Sequence, residues 1–129
     1  MRLLHTSITV RNLEESLRFY TEVLGLEFER RHPIPENRAE IAFVRDPASG
    51  GRVELTYWQD KTGYEAGDQL DHLAFEVPDL DAFLTRAKAQ GVRVAKEPYQ
   101  LRGGSGRLAF LLDPNDIWIE LIETRSDRS

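Results

Sequence analysis

The chain has no cysteine. That single absence excludes a disulfide scaffold, a thiolate metal site and a cysteine nucleophile. Positive charge is not in excess either: 17 Lys+Arg stand against 22 Asp+Glu, a formal net charge of −5. An acidic chain with no dense basic block is poorly suited to nucleic acid. Long apolar runs are missing as well; none approaches the about 20 residues that a membrane span requires. The opening Met1-Arg2-Leu3-Leu4-His5 runs straight into alternating residues, without the apolar core of a signal peptide, so the simplest expected compartment is the cytoplasm. What remains is ordinary folded protein, 40% hydrophobic and 30% charged. A length of 129 residues holds one domain, or two small modules sharing a core.

The chain is written twice. Leu4-His5 is followed by Ser7-Ile8-Thr9-Val10 and then Asn12-Leu13; sixty-seven residues later Asp71-His72 is followed by Leu73-Ala74-Phe75-Glu76-Val77 and then Asp79-Leu80. The match continues through Gly25 and Gly91, Phe43 and Phe110, and Asp46-Pro47 and Asp113-Pro114, and ends at Glu54-Leu55 and Glu120-Leu121. Agreement at so many spaced positions indicates a duplication. We therefore read residues 1–129 as one domain built of two repeats, 1–59 and 70–123.

Each repeat reads as strand, helix, then three strands. In the first, residues 2–10 alternate with period two. Asn12 is an N-cap with Glu15 three residues on. Leu13, Leu17, Tyr20 and Leu24 form one helical stripe, and Gly25 supplies the left-handed stop. Strands are expected near 26–32, 39–45 and 52–58. In the second repeat Asp79 caps, Leu80, Phe83, Leu84 and Ala87 form the stripe, and Gly91 stops. Its strands are expected near 92–97, 107–112 and 117–123, with 60–68 as the linker between repeats and 125–129 as a polar tail.

The duplication places His5 and His72 on the first strand of each repeat, and Glu54 and Glu120 on the last. Alternate residues of a strand share a face. Val53, Leu55 and Tyr57 suit packing under the helix, leaving Glu54 with Arg52, Thr56 and Trp58 on the other side. Ile119 and Leu121 likewise leave Glu120 with Trp118 and Ile122. If both sheets curl around a cleft, two imidazoles and two carboxylates converge inside it. Crowded carboxylates repel one another, and a divalent cation removes that conflict, because two neutral His and two carboxylates balance a charge of +2. Nitrogen and oxygen donors without sulfur suit Ni²⁺, Co²⁺, Zn²⁺, Mn²⁺ or Fe²⁺. A lone strand His is usually satisfied by a hydrogen bond and a lone Glu usually faces water; four at equivalent positions point to a metal site.

These residues resemble the vicinal oxygen chelate superfamily, and within it short bacterial glyoxalase I, lactoylglutathione lyase. The similar segments are Met1-Arg2-Leu3-Leu4-His5-Thr6, Phe19-Tyr20-Thr21-Glu22-Val23-Leu24-Gly25, Glu54-Leu55-Thr56-Tyr57, Asp71-His72-Leu73-Ala74, and Asp113-Pro114-Asn115-Asp116 leading to Ile119-Glu120-Leu121-Ile122-Glu123. The resemblance implies an α+β fold of two tandem βαβββ modules, the glyoxalase/bleomycin resistance/dioxygenase-like fold, paired across a homodimer whose metal sites draw on both subunits. It implies His5, Glu54, His72 and Glu120 as metal ligands. It also implies the activity: the hemithioacetal of methylglyoxal and a thiol becomes the lactoyl thioester, a detoxification step. The metal polarises both substrate oxygens and stabilises the enediolate as charge develops. Glu120 is then the main base, with Glu54 able to serve the opposite face of the substrate. By likeness to the shorter family members, Ni²⁺ or Co²⁺ is favoured over Zn²⁺.

Two positions depart from the family pattern. An arginine of the first strand is Thr9 here, and an asparagine of the fourth strand is Trp58. Both help hold glutathione in the family, so the thiol of this protein is left open. Arg52 and Arg102 are the alternative anion contacts, against the commoner reading of a surface arginine. Arg102-Gly103-Gly104-Ser105-Gly106 reads as a lid or a plain flexible connection, Trp118 and Phe110 as pocket wall or core, and His32 as solvent-exposed. The competing functions are another metalloenzyme of the superfamily, of the acyl-CoA epimerase or dioxygenase kind, and a metal-free drug-binding resistance module. Four ligand-type residues disfavour the last.

Overall fold

The computed structural model describes residues 1–65, 67, 69–100 and 106–124. It divides into two units, Met1–Glu65 and Ala66–Ser129. In the first, β1 (Thr6–Thr9) leads into α1 (Leu13–Arg18), followed by β2 (Glu27–Ile34), β3 (Ala39–Arg45) and β4 (Arg52–Trp58). In the second, β5 (Leu73–Val77) leads into α2 (Leu80–Ala89), followed by β6 (Arg93–Gln100), β7 (Arg107–Leu112) and β8 (Trp118–Glu123). The sheets have the same order, β1-β4-β3-β2 and β5-β8-β7-β6. The first and last strands of each unit are parallel neighbours, and the other pairs are antiparallel. This is the α+β architecture expected.

The helix signals act as read. The Asn12 side chain accepts the Glu15 N–H at 2.9 Å, and the Asp79 side chain accepts the Ala82 N–H at 3.0 Å, each satisfying a donor that the first helical turn leaves open. Gly25 and Gly91 end the helices at φ +80° and +81°. The stripe in the first unit differs from expectation. Leu13, Ser16, Phe19 and Tyr20 are buried, while Leu17 and Leu24 are only half-buried. After Arg18 the helix widens into a π turn over Phe19–Val23, where Leu24 N–H reaches back five residues to the Phe19 carbonyl at 3.1 Å. The wider turn carries two adjacent aromatic rings inward. In the second unit Leu80, Leu84 and Ala87 are buried as expected, with Phe83 at the margin.

Three strand boundaries moved, each for a local reason. The first strand was expected over 2–10 but starts at Thr6. Its parallel register sets Thr6 opposite Val53, so residues before His5 run past the start of β4, where the chain is still turning. His5 and His72 therefore each sit one residue ahead of the first strand of their unit. β2 and β6 run longer than expected, through Pro33 and Pro98. Both are edge strands, where a residue without an N–H costs no ladder hydrogen bond.

Each helix packs on one face of its sheet. Val10, Leu55 and Val44 are fully buried in the first unit, as are Leu80, Leu111, Ile119 and Leu121 in the second. The opposite faces carry the candidate functional residues.

Candidate metal and proton-transfer site

The two repeats build the same pair of side chains. In the first unit His5 Nε2 lies 3.6 Å from Glu54 Oε1; in the second, His72 Nε2 lies 3.0 Å from Glu120 Oε1. The cause is register. Ser7 pairs with Glu54 and Ala74 with Glu120, so each His, two residues earlier on the same side of the chain, leans over the carboxylate of the neighbouring parallel strand. A phenylalanine of the third strand then completes each pair. Phe43, opposite Glu54, meets the His5 ring edge-on with centroids 5.0 Å apart; Phe110, opposite Glu120, meets His72 at 5.7 Å. The four polar side chains are similarly shielded, His5 34% and His72 31% exposed, Glu54 17% and Glu120 16%.

The second pair has a further partner that no repeat pattern foretold. Asp71 Oδ1 lies 2.7 Å from His72 Nδ1, whereas Leu4 occupies the matching place before His5. The Asp71 hydrogen bond, aided by the charge of Glu120, raises the His72 pKa above the ordinary histidine value, and burial opposes it. With Nδ1–H given to Asp71, Nε2 and Glu120 Oε1 face each other as two acceptors, so the 3.0 Å between them calls for a proton or a cation. Such a pair could supply two ligands to a divalent ion. Two donors each about 2.1 Å from one ion stand about 3.0 Å apart at octahedral angles and about 3.4 Å apart at tetrahedral ones. The spacing in the second unit fits directly, and that in the first needs a small side-chain rotation. Among the described residues no three His, Cys, Asp or Glu side chains gather as one metal-binding group. Each unit by itself brings together one imidazole and one carboxylate.

The neighbouring candidates separate clearly. Thr9 stands opposite Thr56, which in turn hydrogen-bonds Ser7 at 3.1 Å, so a hydroxyl face occupies the position of the family's arginine. Trp58 closes β4 with about a third of its surface exposed. Arg52 is committed: its guanidinium binds Glu29 through Nε at 2.9 Å and Nη2 at 3.0 Å, and holds that carboxyl below its ordinary pKa. Arg102 and the rest of 101–105 lie outside the described residues. Trp118 packs edge-on against Phe110 at 5.2 Å and still exposes 38% of its surface, as does Ile122, giving Glu120 apolar neighbours along its strand. His32 is exposed, as expected.

Sequence reasoning missed two structural carboxylates. Glu123 accepts the Leu80 N–H at 2.9 Å and also binds Arg107, tying the end of β8 to the start of α2. Asp113 is fully buried and accepts the N–H groups of Asn115 and Ile117 at 2.7 and 2.8 Å, which shapes the turn that aims β8. The Asp-Pro repeat marked that turn without revealing the buried side chain.

Residues 2–121 match the family model for the Glyoxalase/Bleomycin resistance protein/Dioxygenase superfamily. The chain belongs to that superfamily. Within it, a lactoylglutathione lyase of Neisseria meningitidis is 41% identical over 128 residues, 98% of this chain and 93% of that one. The lactoylglutathione lyase of Haemophilus influenzae is 37% identical across all of this chain and 97% of its own. Among solved structures, glyoxalase I of maize superposes with a TM-score of 0.87 at 29% identity; the match covers 97% of this chain and 45% of the maize chain. A trypanothione-dependent glyoxalase I of Leishmania major superposes at 0.79 with 31% identity, over 95% of this chain and 86% of that one. The glyoxalase fold of two four-stranded modules is thus shared with a chain of similar length and with one about twice as long.

Proposed function

We infer that this chain is a lactoylglutathione lyase, a glyoxalase I that converts the hemithioacetal of methylglyoxal and a thiol into the lactoyl thioester. The observation that carries the reading is the repeated His–Glu pair, standing in a chain that matches lyases of this activity over nearly its whole length. His5, Glu54, His72 and Glu120 are the residues that would hold a divalent cation. When bound, that ion supplies the Lewis acidity that polarises the substrate's two adjacent oxygens and lowers the cost of charge developing there. Nitrogen and oxygen donors fit several divalent ions, and the resemblance to shorter family members favours Ni²⁺ or Co²⁺, with Zn²⁺ the alternative.

The remaining work belongs to side chains. Glu120 accepts the proton from the carbon that carries sulfur and returns it to the adjacent carbonyl carbon, while the hydroxyl proton passes from the first oxygen to the second, so hydroxyl and carbonyl exchange places with no net gain or loss of protons. Its half-shielded place beside Trp118 and Ile122 limits water, which would compete for that proton. Glu54, its counterpart, serves as ligand and stands ready on the opposite side. Asp71 holds the His72 ring in orientation. Two modules must meet to assemble four donors, and a homodimer that pairs module with module supplies them. The lack of cysteine suits the reducing cytoplasm, where this substrate would form.

The test is reconstitution. Metal-free protein receives Ni²⁺, Co²⁺ or Zn²⁺, and thioester formation from methylglyoxal is followed with glutathione and with other thiols. Activity restored by Ni²⁺ or Co²⁺ supports the reading. Restoration by Zn²⁺ alone overturns the metal preference, and no turnover with any thiol overturns the activity.

A further inference from the structure

Thr9 and Trp58 remove a cation and an amide from the places where the resemblance expects the thiol's carboxylate to be held. The strands of the first sheet carry three arginines on the face opposite the helix: Arg30, Arg45 and Arg52. Arg52 grips Glu29 with two hydrogen bonds, and Arg45 stands 3.8 Å from Glu27. Arg30 differs. Its nearest carboxylate in the described residues is Glu29 at 4.0 Å, and both oxygens of Glu29 already accept from Arg52.

The placement of Arg30 has a backbone cause. The register between β2 and β3 shifts between Phe28 and Arg30, so Glu29 and Arg30 together oppose one stretch of β3. That bulge sets Arg30 across from Phe43 and lays its guanidinium 4.1 Å from the Phe43 ring centroid. The ring braces the guanidinium, and no described carboxylate lies nearer than 4.0 Å, so its N–H groups remain available to a ligand. Phe43 itself lies edge-on to His5, which pairs with Glu54. One aromatic ring therefore separates an exposed, preorganised guanidinium from the candidate metal donors. The matching position opposite Phe110 in the second unit is Lys96, whose ammonium lies over Tyr99 instead.

We propose that Arg30 is a specificity-determining residue that binds a carboxylate of the thiol co-substrate, replacing the contacts that Thr9 and Trp58 cannot make. The proposal rests on the glyoxalase reading for the identity of its ligand, and on the geometry of the first unit for the site. A planar guanidinium binds a carboxylate through two parallel N–H···O bonds, a contact unavailable to a neutral ester.

The experiment uses the Ni²⁺-reconstituted full chain and two probes: the methylglyoxal adducts of glutathione and of its diethyl ester, read as KM and kcat, and a non-reactive S-methyl thioether of glutathione, read by calorimetry. Arg30→Met keeps an apolar stem against Phe43 and removes the charge. It should raise KM for the glutathione adduct roughly tenfold to a hundredfold, weaken the thioether by a like factor, and alter KM for the ester by less than about twofold. Arg30→Lys should recover part of the loss, and melting curves of both variants check the fold. Equal effects on acid and ester, or none on either, would overturn the proposal. Because thioether binding needs no turnover, an inactive protein whose thioether affinity still depends on Arg30 sinks the lyase reading while the carboxylate site stands.

Discussion

His72 is held between two carboxylates, Asp71 at 2.7 Å from Nδ1 and Glu120 at 3.0 Å from Nε2, whereas among the described residues His5 meets only the carboxylate of Glu54, 3.6 Å away. A repeat that is symmetric in its ligand-type residues is thus asymmetric in how firmly they are oriented. Orientation of an imidazole by a carboxylate typically changes metal affinity ten- to a hundredfold, roughly. Asp71 is largely exposed, which places its contribution at the lower end. Asp71→Asn should weaken Ni²⁺ binding about tenfold, measured by competition with a chelator of known affinity. Unchanged affinity would mean that the His72 ring is positioned by Phe110 packing alone.

The two carboxylates should separate on substitution. In Glu120→Gln the amide oxygen can still coordinate an ion but cannot accept a proton at neutral pH. Turnover should fall by ~10²–10⁴ while metal content stays near that of the unmodified protein. Glu54→Gln should lose less turnover. Steady-state kinetics with elemental analysis of both variants decides it, and equal losses would show that the pair shares the proton transfer.

Metal binding should also be visible in stability. A ligand that binds only the folded chain stabilises it by RT ln(1 + [L]/Kd), about 2.7 kcal/mol at a hundredfold excess over Kd. Removing the metal with a chelator should lower Tm by several degrees, and adding Ni²⁺ or Co²⁺ should restore it. Glu54→Ala or His72→Ala should shrink the shift. A Tm indifferent to chelator and to every added ion would favour a metal-free binding module.

Restoring the family's residues should help glutathione. Thr9→Arg combined with Trp58→Asn adds a charged donor and an amide on the face that carries Glu54. The KM for the glutathione adduct should fall, by roughly tenfold if one charge-assisted hydrogen bond forms, and kcat should change little. A higher KM in the double variant would show that the indole of Trp58 packs directly on the substrate.

The helix caps test the duplication at the level of folding. Asn12 and Asp79 make the same side-chain bond to the residue three positions on. Asn12→Ala and Asp79→Ala should each cost about 1 kcal/mol, a Tm decrease of about 3–5 °C. The two losses should add, because the caps share no partner.

Strands 39–45, 52–58 and 107–112 stand where the pattern places them, because each is paired on both sides within its sheet. The edges were harder to read. Pro33 and Pro98 suggest strand ends, and only the sheet order shows that both lie on edges that need no donor there. His5 belongs by pattern to a strand, yet the start of β4 decides that the ladder begins one residue later.

The caps and the α+β fold class are legible in the amino-acid sequence, as is the repeated spacing that sets a His and a Glu side by side in each unit. Those features are local or periodic, and a period survives any rearrangement of neighbours. Tertiary structure alone decided which charges are spent and which are available. Arg30 and Arg52 are both strand arginines of the first unit. A bulge in β2 and the pairing of β3 with β4 bring Glu29 under Arg52 and leave Arg30 stacked on Phe43 beside His5. Residues 23 positions apart along the chain share an ion pair only because two turns fold their strands onto one sheet, and no pattern within either strand encodes that meeting.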